Sequence, residues 1–298
     1  MPLHDPALPK PRIGILGVGR MGLPIARALI AAGFNTTVFD PNEERSARAG
    51  AAVSPSARHL VASVDVVLTV LPGSPELETL MRAVLPLMPH KALWLDLTSL
   101  DPAIADSLGA LAAAHDIAMI GAPMAGGVTA AESSSLKFYA GGCSASLARI
   151  RPVLETLGTI DHIGENVGDG YTAKLLANLL WFGQVVAVTE ALLLGQARGI
   201  SPHRLRTTLA ASAGGSVFID EYLDRLLAGD YAESFGLERC VEELNAVVAL
   251  AGASTVPFEL SAAVARMHRE ALERFGAVDG ELLAAKLLEE RAGRTLRR

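Results

Sequence analysis

The chain has 298 residues, 50% of them hydrophobic and 19% charged, with a formal net charge of −6. That length is too great for one small core and suits two lobes, and the composition is that of an ordinary globular protein. The acidic balance gives no basic field for gripping a phosphodiester backbone, which excludes nucleic acid as a partner.

Residues 1–11 contain several prolines and no apolar run, and are expected to form a flexible tail. From Arg12 to Gly164, short Val/Ile/Leu runs alternate with Ala-rich stretches, the pattern of a parallel sheet covered on both faces. Strands are expected at 12–16, 36–39, 65–70, 92–95, 117–120, 137–140 and 159–163, and helices at 21–32, 101–114 and 144–157. Residues 12–164 therefore read as a doubly wound α/β domain of the Rossmann type. After Gly168-Asp169-Gly170 the texture changes: Tyr171 to Arg198 has no proline and only two glycines, and residues 165–298 read as an all-α second domain. The basic run Arg291 to Arg298 is expected to be a solvated tail.

The first strand runs directly into Gly17-Val18-Gly19-Arg20-Met21-Gly22 and then into a helix. This is GxGxxG in its required context: Gly17 for a tight turn, Gly19 for close approach of a pyrophosphate, Gly22 for helix packing, and a helix N-terminus to attract negative charge. The second strand ends in Asp40, whose carboxylate can accept both ribose hydroxyls and would repel a 2′-phosphate. With Pro41 rather than an arginine next, NAD is favoured over NADP. The bland alternative is a glycine turn in some other α/β protein. A short-chain dehydrogenase is disfavoured, because its glycine spacing differs and Tyr171-Thr172-Ala173-Lys174 is one residue too short for YxxxK.

Cys143 and Cys240 form no CxxC, and the histidines show no ligand spacing, so no metal site or disulfide is indicated and both thiols are expected to be buried. The most apolar long segment, Leu175 to Val188, is interrupted by Asn178 and Gln184; a soluble, cytoplasmic protein without membrane contact is expected.

Taken together these motifs resemble the β-hydroxyacid dehydrogenase family, the 3-hydroxyisobutyrate dehydrogenase-like enzymes. Gly14 to Pro24 resembles its opening signature, and Leu71-Pro72 its Leu-Pro beside the cofactor. Asp96-Leu97-Thr98-Ser99 resembles its Asp-Met-Ser-Thr loop, and Gly121-Ala122-Pro123-Met124-Ala125-Gly126-Gly127 its Asp-Ala-Pro-Val-Ser-Gly-Gly substrate loop. The segment Gly168 to Asn178 resembles the GxGxxxKxxNN stretch that carries the catalytic lysine. The resemblance implies a nicotinamide-dependent oxidoreductase acting on a small hydroxy acid. Lys174 would be general acid/base, with Asn178 one turn along the same helical face, and Gly17, Val18, Gly19, Arg20, Met21, Gly22, Asp40, Leu71, Pro72 and Thr98 at the cofactor. Thr98, Ser99, Ala125, Gly126, Gly127 and Glu242 would line the substrate. The bland readings are a surface lysine at 174, a plain turn at Gly126-Gly127, and helix capping by Thr98 and Ser99.

Three departures stand out. Ala125 replaces the family's serine, Ala177 its first asparagine, and Glu242-Glu243 its Lys-Asp. A carboxylate at 242 would oppose a second anionic group on the substrate and favour an amino or hydroxyl-rich one. An imine reductase-like enzyme and a non-catalytic NAD-binding module are the alternatives; imine reductases typically carry Asp or Tyr where Lys174 stands. Small residues along the helix from Tyr171, at Ala173, Ala177, Gly183, Ala187, Ala191 and Gly195, together with the resemblance, imply a homodimer or a tetramer of dimers.

Overall fold

The computed structural model describes residues 10–233 and 235–297; the expected tail lies outside them except for Lys10 and Pro11, where Lys10 Nζ donates to the Ala32 carbonyl. The chain forms two compact units that divide between Lys174 and Leu175, inside a helix rather than ahead of it.

In the first unit the elements follow in chain order: β1 Ile13–Leu16, α1 Gly22–Ala31, β2 Thr36–Phe39, α2 Glu43–Ala47, β3 Ala52–Val53, α3 Ala57–Val61, β4 Val66–Thr69, α4 Ser74–Val84, β5 Leu93–Asp96 and α5 Pro102–Ala113. Then come β6 Ala118–Gly121, β7 Met124–Ala125, α6 Gly127–Glu132, β8 Leu136–Gly141, α7 Ser144–Leu157 and β9 Gly158–Gly164. Strands β3-β2-β1-β4-β5-β6 are parallel neighbours in that order. β8 departs from the all-parallel expectation. It runs antiparallel to β6 and to β7, which continues the same register beyond Pro123, while β9 lies parallel on its other side.

Strand period 2 explains the two cores. Ile13, Ile15, Val66, Leu68, Leu93 and Leu95 point to the face covered by α1 and α7. Leu16, Val67 and Trp94 point to the face covered by α3, α4 and α5. Both faces are buried, so these strands carry almost no polar residue until their ends. Leu16, Thr69, Asp96 and Gly121 then stand side by side in one row of the sheet. Four loops therefore leave the carboxyl edge together, where ligands bind in open α/β sheets.

A long helix, α8 Val167–Ala197, crosses the division. By length and composition alone it would pass for a membrane span, but its buried Leu179, Phe182, Val185, Val186 and Leu192 belong to the core of the second unit. That core is completed by α9 Pro202–Ala210, a π-helical turn at Phe218–Tyr222, α10 Leu223–Ala228, α11 Leu237–Ser254, α12 Glu259–Phe275 and α13 Leu283–Ala292. One of the small residues in α8 serves this packing: a Cβ on Gly195 would lie 2.2 Å from Leu205. The basic C-terminal run is not a solvated tail. Leu296 is buried, its N–H donates to Glu289 at 2.6 Å, and Arg297 donates to the Tyr231 hydroxyl at 3.0 Å. Nor are both thiols buried, since Cys240 is enclosed while Cys143 is exposed.

His268 on α12 sets an acid limit on stability. Its ring is fully buried, Nδ1 meets the Val264 carbonyl, Nε2 has no hydrogen-bond partner among the described residues, and burial pushes its pKa down from 6.5 to about 4. The neutral ring thus favours folding above pH 6.5, and that contribution is lost as pH falls to about 4 because the unfolded chain takes up the proton first. The loss is on the order of 3 kcal/mol. Buried Asp96, with its pKa raised to about 6, acts with the opposite sign in this window, so the comparison must be with a variant. Urea unfolding of His268→Leu should show a smaller loss of stability on acidification than wild type; equal losses would contradict the assignment.

Candidate active site

The dinucleotide turn has the form its sequence requires. Gly17 sits at φ +95°, where a Cβ would lie 2.3 Å from the Val70 carbonyl, and a Cβ on Gly22 would lie 2.0 Å from the Gly17 carbonyl. Gly19, by contrast, would place a Cβ in open space. No side chain caps α1, as suits a helix end that receives an anion. Asp40, at the tip of β2, accepts from the Val18 N–H at 3.0 Å and the Asn42 N–H at 2.9 Å, with Arg45 4.0 Å away. Arg20 and Pro72 are exposed beside half-buried Met21 and Leu71. A narrow turn, an open Gly19 and a carboxylate fixed beside them fit a nicotinamide dinucleotide.

The loop after β5 is pinned from below. Asp96 is fully buried and accepts from Thr69 Oγ1 at 2.5 Å, from the Tyr171 hydroxyl at 2.5 Å, and from Thr98 through its hydroxyl and its N–H. Burial raises its pKa to about 6 against the lowering effect of these donors. Burial and the charge of Asp96 push the Tyr171 phenol well above its ordinary value, so it remains a donor. Thr98 is only 2% exposed, and its Oγ1 accepts from the Leu71 N–H at 3.1 Å. Its hydroxyl thus ties two loops together. Neither Thr98 nor Ser99 caps α5, because Asp101 does so, accepting from Ala103 N at 2.8 Å. Ser99 is exposed and accepts from Lys174 Nζ at 2.8 Å. Lys174 is 9% exposed, which removes the surface-lysine reading.

Gly126 and Gly127 open α6 at φ +113° and +65°, conformations that disfavour a side chain, with Ala125 half-buried before them. A Cβ on Gly126 would press on Ala130, whereas Gly127 opens on nothing.

Within the second unit, Asn178 Nδ2 donates to Glu243 at 2.5 Å. Glu242, the expected substrate contact, is exposed and paired with Arg239 at 2.6 Å. Helical phase is the cause. The buried positions Leu237, Cys240, Leu244 and Val247 put 243 on the flank of the inner face and 242 on the far side. Near Glu243 lies Glu281, raised to about 6 chiefly by burial, with the Trp181 hydrogen bond opposing. Trp181 packs edge-on against Phe218 and Tyr222.

Comparison with known proteins agrees with this geometry. Residues 12–168 match the NAD-binding domain of 6-phosphogluconate dehydrogenase, and residues 168–288 match the NAD-binding domain of NADP-dependent 3-hydroxyisobutyrate dehydrogenase. An L-threonate dehydrogenase of Cupriavidus necator is 30% identical over 86% of this chain and 88% of its own. An NAD-dependent L-serine dehydrogenase of Pseudomonas aeruginosa is 34% identical over 71% of this chain and 73% of its own. A 3-hydroxyisobutyrate dehydrogenase of Mycobacterium tuberculosis, solved with L-serine, superposes with a TM-score of 0.87 at 27% identity, covering 94% of this chain and 99% of that one. Imine reductases share the fold at lower identity. Fold and site together define an NAD(P)-dependent oxidoreductase acting on hydroxyl groups. The chain belongs to the β-hydroxyacid dehydrogenase family.

Proposed function

We propose that the chain interconverts a small β-hydroxy acid and its carbonyl form, with Lys174 as general acid/base. The observation that carries this reading is the Lys174 ammonium, nearly buried and held by Ser99 on the sheet edge from which the dinucleotide turn also leaves. In oxidation the lysine amine takes the hydroxyl proton; in reduction the ammonium stabilises the developing alkoxide and delivers the proton. A nicotinamide held at the glycine turn would supply or accept the hydride. The glycine N–H groups at 126 and 127 are suited to the substrate carboxylate, and Asn178 stands one turn beyond Lys174 on α8. A lysine at 174 favours this chemistry over imine reduction and over a module that only binds cofactor.

Asp40 supports NAD as the preferred cofactor, since its carboxylate would lie where a 2′-phosphate has to go. The test is a panel of L-serine, L-threonate and 3-hydroxyisobutyrate, with further small hydroxy acids, assayed with each cofactor. Turnover of at least one is expected, with kcat/KM about tenfold higher for NAD; turnover of none would sink the reading, and a preference for NADP would sink the cofactor assignment.

A homodimer, alone or paired into a tetramer, is supported by one face of α8. Leu176, Leu180 and Leu194 share that face and are 43%, 67% and 69% exposed, an apolar stripe of the kind a subunit contact covers. Light scattering should give a dimer or tetramer mass, and a monomer would contradict this.

A further inference from the structure

Asp96 carries a buried carboxylate that the proposed chemistry does not use. A charge in that position is tolerated only if its oxygens are fully hydrogen-bonded. Its donors come from three places: Thr69 at the end of β4, Thr98 in the loop after β5, and Tyr171 in the opening turns of α8. Thr69 in turn accepts from Trp94 Nε1 at 2.9 Å, and Thr98 from the Leu71 N–H at 3.1 Å. The carboxylate is thus a hub for the loops assigned to the cofactor and to the reacting group.

The register of two of these bonds is informative. Asp96 meets Tyr171 at 2.5 Å, and Ser99, three residues beyond Asp96, meets Lys174, three residues beyond Tyr171, at 2.8 Å. The two contacts are rungs of one ladder between the same two segments. The inner rung is buried at both ends, with Asp96 0% and Tyr171 1% exposed, and the outer one carries the lysine. Room for the inner rung depends on Gly121. A Cβ there would lie 2.3 Å from Tyr171 Cε2 and 3.0 Å from Cζ, so any larger residue would push the ring aside. Gly121 stands where the resembling substrate loop has an aspartate, and the phenol ring fills the space which that side chain would need.

We propose that Tyr171, bonded to Asp96 in the space left by Gly121, is the positioning residue for Lys174, fixing the helix turn that holds the ammonium against Ser99. The role of Lys174 rests on the function proposed above; the ladder itself does not.

The test uses the full-length protein and the variants Tyr171→Phe, which removes only the hydroxyl, and Gly121→Ala, which displaces the ring while altering no polar group. Two readouts are taken. The first is the rate at which acetic anhydride labels Lys174, followed by mass spectrometry of its peptide, with exposed Lys91 and Lys137 as internal references for folding. Labelling of Lys174 should rise about fivefold in both variants while the references stay constant. The second is steady-state turnover of the best hydroxy acid, in which kcat should fall about tenfold with the cofactor KM changed less than about twofold, the signature of a misplaced group rather than a lost binding site. Wild-type labelling of Lys174 in Tyr171→Phe, or an unchanged kcat, would overturn the proposal. If wild type turns over no hydroxy acid, the functional reading fails, and the labelling rates still decide the ladder.

Discussion

Lys174→Ala should lower kcat by about 10³-fold, about 4 kcal/mol of transition-state stabilisation, while leaving cofactor binding intact. The size follows from the place of the side chain. The residue is 9% exposed and its ammonium donates to Ser99, so little of the side chain meets water, and the charge that develops on the reacting oxygen would go uncompensated in a site of low dielectric. Alanine is a good helix former and sits in the continuous helix α8, so the fold should survive. Titration calorimetry with NAD should therefore give wild-type affinity for a variant that scarcely turns over. A variant with wild-type turnover would remove Lys174 from the chemistry; one that loses NAD affinity would move it into the binding site.

The second large effect separates two glycines of one motif. Gly17→Ala forces a side chain into φ +95° and sets its methyl 2.3 Å from the Val70 carbonyl, whereas Gly19→Ala meets nothing within 4 Å. The first should cost about 2–4 kcal/mol of stability, because backbone rather than a flexible side chain has to give way. The second should melt as wild type does. Both should bind NAD poorly, Gly17→Ala because the turn is distorted and Gly19→Ala because its methyl stands where the pyrophosphate approaches. Thermal melts and NAD titrations of the pair check this directly. Wild-type NAD affinity in Gly19→Ala would show that the cofactor does not pass over that residue.

Much of the first unit is legible because local rules suffice there. The run from Ile13 through Gly22 to Asp40 is strand, turn, helix, strand and acid at spacings set by backbone geometry, and the structure reproduces it with the Asp40 carboxylate bonded to Val18. Two-residue strands such as β3 and β7 leave too few positions for an alternating pattern. The antiparallel course of β8 is invisible in its own composition. It follows from the chain running straight past Pro123 into β7 and reversing only beyond Gly126-Gly127, which a reading of strands one at a time does not reveal. The least legible part is the Asp96 hub. Thr69, Trp94, Asp96 and Tyr171 are ordinary residues in sequence, joined only because two neighbouring strands end, and a helix begins, at one place. The burial of Thr98 and the pairing of Glu243 with Asn178 are no more legible. In both places a side chain's direction decided the matter, and one motif does not contain it.

The central claim is that an amine at position 174 exchanges the proton of the reacting oxygen. It is tested most directly by rebuilding that amine. In a Cys143→Ser background, since Cys143 is exposed and Cys240 buried, Lys174→Cys can be treated with 2-bromoethylamine to give an aminoethyl thioether, nearly a lysine in length but a weaker base. The account predicts that Lys174→Cys is almost inactive, that alkylation restores turnover, and that the pH–rate limb belonging to this amine moves to lower pH. Restored turnover with the limb unmoved, or a Lys174→Cys enzyme that is active before alkylation, would contradict it.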